Sequence, residues 1–176
     1  AVGYNGIPAE YIDGLWADSR QRAGASIDSF NEATRRAGLL ADSRQIETEM
    51  GRAADVFAQI ASRVDLSIME QPEHDRAATS DSVLEATLFG SGRPVLIVPY
   101  IHKGGLKLDH VTVCWDGSRT AARAVADALP FLTHAAAIDV LIVEDQHIKS
   151  DEISGVDIGQ HLARHGLKIE IKRVTA

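Results

Sequence analysis

The runs VLIV at 95–98 and IDVLIV at 138–143 constrain this chain more than any other feature of it. Successive side chains of a strand point to opposite faces, so a run that is apolar at consecutive positions has to be covered on both sides. Strands of that kind belong to α/β sheets flanked by helices on both faces. Strand-like and helix-like patterns alternate along the rest of the chain, which implies a mostly parallel sheet joined by right-handed crossovers. The expected class is α/β: an open, mostly parallel sheet with flanking helices.

One step breaks the alternation. Between VLIV and the next apolar strand, VTVC at 111–114, lie residues 99–109 with Pro99, Gly104 and Gly105. A hairpin uses two to five residues, and a parallel crossover usually carries a helix of a dozen residues or more. The stretch fits neither pattern and reads as a linker between two α/β units.

Residues 9–37 are expected to form a long amphipathic helix, with Trp16, Ala23, Ile27 and Phe30 at helical spacing. Gly38 would stop it in the left-handed conformation, while Gly14 and Gly24 argue against one unbroken helix. Burying Trp16, Ile27 and Phe30 is worth about 1.5–3 kcal/mol each, so a sheet or a partner is expected over that stripe. RQIETE at 44–49 is a weak strand candidate. Residues 52–63 read as a helix with Ala53, Val56, Phe57 and Ile60 on one face, and VDLSIM at 64–69 as an alternating strand. A polar loop follows, then a helix capped by Ser80 or Asp81 and running to about Phe89. Gly90, Ser91 and Gly92 end it before the strand RPVLIVP. After the linker HVTVCW is a strand, and Ser118 caps a helix expected to stop before Pro130. IDVLIV is next, then a charged loop, DQHIKSDEISG, and a helix, VDIGQHLARHG, stopped by Gly166. LKIEIKRV reads as a strand near an edge, with Ile169, Ile171 and Val174 set against Lys168, Glu170 and Lys172.

Composition removes some functions. The formal charge is −7 over 176 residues, and no basic run appears, which argues against nucleic acid as a partner. No stretch approaches the roughly 18 apolar residues of a membrane span, and no secretory signal is visible. The single cysteine, Cys114, excludes an internal disulfide, and a reducing, cytoplasmic setting is the simplest reading. The ends, AVGYNGIP and EIKRVTA, read as parts of something longer.

Among the chemistry-bearing residues, Asp116, Gly117 and Ser118 come first. They stand at the carboxyl end of one strand and open a helix. Ligands of open α/β sheets sit at such ends, near a topological switch point, and a helix N-terminus offers free N–H groups and a positive dipole end to an anion. Asp116 would accept hydrogen bonds from a base or ribose, and the Ser118 amide would face phosphate; the plainer reading is a helix cap. His161 and His165, four apart, share a helix face as some zinc ligands do, but no third ligand is evident and two solvated histidines fit better. His102 and His110 flank the linker and read as solvated. Cys114 reads as a buried structural thiol. Neither Ser118 nor Ser91 sits in a G-x-S-x-G elbow. No catalytic residue and no metal site are assigned.

Two segments carry a family resemblance. SRVDLSIMEQPEHDRAATSDSVLEATLFGSGRPVLIVPY resembles the closing part of a universal stress protein module: helix, strand, loop, helix, then R-P-V-L-I-V-P. HVTVCWDGSRTAARAVADALPFLTHAAAIDVLIVED resembles the opening part of another: strand, D-G-S, an alanine-rich helix, a second strand. The resemblance implies five-stranded modules of sheet order 3-2-1-4-5. Residues 1–99 would be the C-terminal part of a first module, 100–109 a linker, and 110–176 the N-terminal part of a second. Either the absent strands exist in a longer polypeptide, or the two halves complement each other within one sheet.

The resemblance also implies a ligand. Many members of the family bind ATP through an Asp at the end of the first strand, a hydrophobic residue in the second, and a glycine-rich loop after the fourth. Asp116 matches the first and Val143 the second, with Gly117 and Ser118 beside them. EQPEHDRAATSD stands where the glycine loop of the first module would be, so a complete site there is not expected. The implied function is a stress-response or regulatory module binding ATP or another adenine nucleotide, with at most weak ATP hydrolysis, working as a homodimer or by pairing of its modules. One alternative is an interaction module without nucleotide, dimerising through its edge run RPVLIVP. A lower-ranked one is an ATP-dependent enzyme of the adenine nucleotide α-hydrolase-like group, for which WDGSRTAA is a poor pyrophosphate loop.

Overall fold

The structure is a computed structural model and describes residues 8–72, 77–144 and 155–175. The chain divides after Arg52 into two compact units. In the first, helix α1 (Ala9–Arg36) runs unbroken for 28 residues, although Gly14 and Gly24 each cost about 1 kcal/mol relative to alanine. Its last turn holds it: Glu32 pairs with Arg35 and Arg36 at 2.7 Å each. The end is a Schellman motif, with Gly38 at φ 67°; the Leu39 N–H donates to the Thr34 carbonyl and the Gly38 N–H to that of Arg35. Trp16 and Phe30 of its stripe are exposed. RQIETE is not a strand. Glu47 instead takes two hydrogen bonds from Arg20, at 2.6 and 3.0 Å.

The first unit closes with a 3-10 turn (Met50–Arg52), and the second opens with α2 (Ala53–Ala61). Strand β1 (Ser67–Glu70) begins three residues later than the alternation suggested, and α3 (Ala77–Gly90) starts before Ser80 and Asp81, which therefore do not cap it. Strand β2 (Val95–Val98) pairs with β1 in parallel, Ser67 level with Val95. After residues 99–110 come β3 (Val111–Cys114), α4 (Arg119–Leu132), β4 (Ile138–Glu144), α5 (Gly155–Arg164) and β5 (Ile169–Thr175). These three strands form a second parallel sheet in the order β3-β4-β5, with β5 at the edge as expected. The fold is thus α/β, with five α-helices and two small parallel sheets among the described residues. The charged loop expected at 145–155 lies almost wholly outside them. Among the described residues the two halves do not share a sheet: β1 and β2 pair with each other, and β3, β4 and β5 form their own sheet.

The core lies on one face of the second sheet. Ile138, Val140 and Ile142 of β4 pack against Val125 and Leu132 of α4 and Ile158 and Leu162 of α5, all buried. Helix α4 does not stop before Pro130 but runs through it to Leu132. The proline gives up one helical hydrogen bond, and continuing the helix seats Leu132 in the core, worth about 1.5–3 kcal/mol. Helix α5 ends in a second Schellman motif: Gly166 has φ 77°, and the Leu167 N–H reaches the Leu162 carbonyl. No helix among the described residues is long and apolar enough to cross a membrane.

The opposite face of this sheet carries Thr112 and Cys114, then Asp139, Leu141 and Val143, then Glu170, Lys172 and Val174, by the register of the strands. Val143 is 54 % and Val174 51 % exposed, whereas Asp139 on the same face is buried, so this face of IDVLIV is bare toward its carboxyl end. Val174 stands out of phase with Ile169 and Ile171, and the two-residue period puts it on the far face. Cys114 is exposed, not a buried thiol.

Candidate functional site

A cleft of about 420 Å³ opens at the carboxyl ends of β3 and β4, within the range of small-molecule sites. Strand β3 delivers Cys114 and Trp115 to it, β4 delivers Leu141 and Val143, and α4 delivers Thr120, Ala121 and Ala124. Asp116 and Ser118 complete the rim. Gly117 bends the chain between them at φ 75°, a left-handed conformation that a side chain would oppose. Of the four residues the sequence singled out, Asp116, Ser118 and Val143 meet at one cleft, and Gly117 makes the turn that brings the first two together.

The turn has its own hydrogen bonds. The Ser118 N–H donates to Asp116 Oδ1 at 2.9 Å. The Ser118 Oγ accepts from the Ala121 N–H at 3.1 Å, the N-cap expected of it, and shares a hydrogen bond with Thr120 Oγ1 at 2.8 Å. The Ser118 amide is therefore already spent on Asp116 and does not face the cleft as a phosphate donor. The amides of Arg119 and Thr120, on the first turn of α4, meet no acceptor among the described residues. The Ser118 hydroxyl and then its amide hold the Asp116 carboxyl below its ordinary range. Asp116 thus stands as a carboxylate whose Oδ2 takes no hydrogen bond among the described residues, beside apolar walls from Trp115, Leu141 and Val143.

Sequence reasoning missed a second polar cluster. Asp139, inside the apolar run of β4, is 6 % exposed. Its Oδ2 receives Lys172 Nζ at 2.6 Å from β5 and His110 Nε2 at 2.8 Å from the residue before β3. Lys172 and then His110 hold its carboxyl below the ordinary range, against the burial that raises it. His110 is thus a partner of a buried acid and not merely solvated. The signal was present in the sequence: an acid inside IDVLIV demands a cation, and Lys172 faces it from the next strand. The cluster lies at the amino ends of the strands, away from the cleft.

His161 and His165 are exposed, with ring centroids 5.0 Å apart. Among the described residues no three His, Cys, Asp or Glu side chains come together as metal ligands. Residues 73–76, within the loop after β1, lie outside the described residues. Neither a protein-family model nor a curated protein matches the chain.

Proposed function

We propose that this chain is a regulatory module of the universal stress protein type, whose second half holds ATP or another adenine nucleotide at the cleft bordered by Asp116. The observation that carries the reading is the convergence of Asp116, Ser118 and Val143 on one cleft at the carboxyl ends of two adjacent parallel strands. A ribose or adenine donor would bond Asp116 Oδ2, the base would lie on Val143 and Leu141, and phosphate would meet the Arg119 and Thr120 amides at the positive end of α4. The strand pairings support the module assignment. β1-β2 and β3-β4-β5 correspond to the 4-5 and 1-2-3 parts of a 3-2-1-4-5 sheet, and residues 99–110 then join the end of one module to the start of the next. A cytoplasmic setting goes with this reading.

Calorimetry with ATP tests it. Binding that weakens at least tenfold in Asp116→Ala supports the reading, since a charge-assisted hydrogen bond contributes about 1.5–3 kcal/mol. Binding unchanged by the substitution removes Asp116 from the site. No binding at all favours the second reading, an interaction module without nucleotide. That reading draws support from exposed apolar side chains on the first half of the unit, Ile68 and Phe89 among them.

A further inference from the structure

Among the described residues each of the two sheets ends in a strand with no partner on its outer side, beside which another parallel strand fits. In β3 the Val111 N–H donates to Ala137 and the Trp115 N–H to Leu141, so the alternation of a parallel ladder turns the backbone groups of Thr112 and Cys114 outward. In β1 the Ser67 N–H donates to Pro94 and the Gln71 N–H to Val98, which turns those of Ile68 and Glu70 outward. Both edges are four residues long. A two-stranded sheet is marginal by itself, and a bare edge is a template for pairing.

The two edges match in face as well as in length. In parallel strands a residue that bonds across the joint lies level with one that does not, and level side chains share a face. Thr112 and Cys114 therefore lie level with two of Ser67, Met69 and Gln71, and Ser67 with Met69 is the choice that keeps both partners inside β1. Thr112 and Cys114 occupy the face away from α4 and α5, whereas Ser67 is buried and Ile68 is 66 % exposed, so Ser67 and Met69 face the α2–α3 layer. Joining the edges puts α2 and α3 over the uncovered face of the second sheet, where Leu141, Val143 and Val174 stand. Right-handed crossovers demand the same result: β3 to β5 step one way across the joined sheet and β1 to β2 the other, so their helices fall on opposite faces. The reversal of strand order then falls at the joint, beside Asp116, where open α/β sheets hold ligands.

We propose that two copies of this chain exchange halves, β3 of each pairing in parallel with β1 of the other, to give two five-stranded sheets of order β5-β4-β3-β1-β2. The partner is a second copy because the complement of each edge is in the chain itself. Closure within one chain would require residues 99–110 to cross over β1 without the helix that such a connection normally carries. Between copies the same residues simply bridge two sheets. The assembly forms with or without nucleotide, so its test is separate from that of ligand binding.

The single cysteine makes the joint readable. Met69→Cys would face Cys114 across it, at the strand spacing of about 4.8 Å, inside the range a disulfide spans. Light scattering on the unaltered protein should give twice the 19.0 kDa of one chain. Oxidised Met69→Cys should run as a covalent dimer on a non-reducing gel, while Ile68→Cys, whose side chain faces the other way, should not. Ser67→Cys with Thr112→Cys in a Cys114→Ser background reads the same joint should Met69→Cys fail to fold. A monomer by light scattering overturns the proposal, as does a disulfide closed within one chain. A dimer that neither cysteine pair cross-links, or that Ile68→Cys cross-links equally well, overturns it too, because the copies then meet elsewhere, such as at β2.

Discussion

Leu162→Ala tests the packing on which the second sheet depends. Leu162 is wholly buried on α5, one helical turn from Ile158 on the same face, and belongs to the cluster formed with Val140 and Ile142. The substitution removes three carbons, about 2.4 kcal/mol at roughly 0.8 kcal/mol per buried methylene. A cavity term adds to this where the walls cannot collapse. The walls here are β-branched Val140 and Ile142 in the central strand of the sheet, held on both sides by ladder hydrogen bonds, so little collapse is expected. The loss should reach about 3–4 kcal/mol, within the 2–5 kcal/mol found for buried leucines and a large share of a usual total of 5–15 kcal/mol. Urea unfolding followed by far-ultraviolet circular dichroism measures it. Lys168→Ala, at an exposed residue just before β5, is the control and should cost less than about 0.5 kcal/mol. A loss below about 1 kcal/mol for Leu162→Ala, or one no greater than the control's, would refute the assignment of this face as the core.

Two other outcomes follow from the polar groups. Asp139 is held below its ordinary range by Lys172, and Lys172 above its own by Asp139; their pairing therefore stabilises the fold above the unfolded aspartate value of about 3.9 and below the unfolded lysine value of about 10.4. The contribution is lost as pH falls through the folded Asp139 value or rises through the folded Lys172 value, so the urea midpoint should drop at both extremes in the unaltered protein and less steeply in Asp139→Asn. Ser118→Ala should cost about 0.5–2 kcal/mol in the same unfolding assay and Ser118→Gly only a few tenths, the pattern of a lost helix cap.

How legible the fold was depends on whether local or distant residues decide each feature. The Gly38 and Gly166 stops and the Ser118 cap were legible because each is settled within about five residues by a backbone angle or one hydrogen bond. Strand β1 was placed three residues early: Val64 and Leu66 continue the alternation, but only Ser67 to Glu70 find ladder partners in β2. Pro130 misled for the opposite reason, since a local rule stops the helix and the burial of Leu132 carries it on. The cleft residues Asp116 and Val143 were legible by matching positions in a known pattern. Trp115 and Leu141, which line the same cleft, were not, because nothing local marks them.

Alternation of apolar runs with amphipathic helices determined the α/β class, the parallel pairing and the step without a helix at residues 99–109, because burial periodicity is written in consecutive side chains. Which faces are covered was decided only by the tertiary structure. IDVLIV is apolar enough for cover on both sides, yet α4 and α5 both pack on one, leaving Val143 exposed and Asp139 to be neutralised by Lys172 and His110. The division of the strands into two sheets was likewise tertiary. A strand's own residues specify that it pairs and in what phase, but the ladder partner comes from elsewhere in the chain, or from another copy of it.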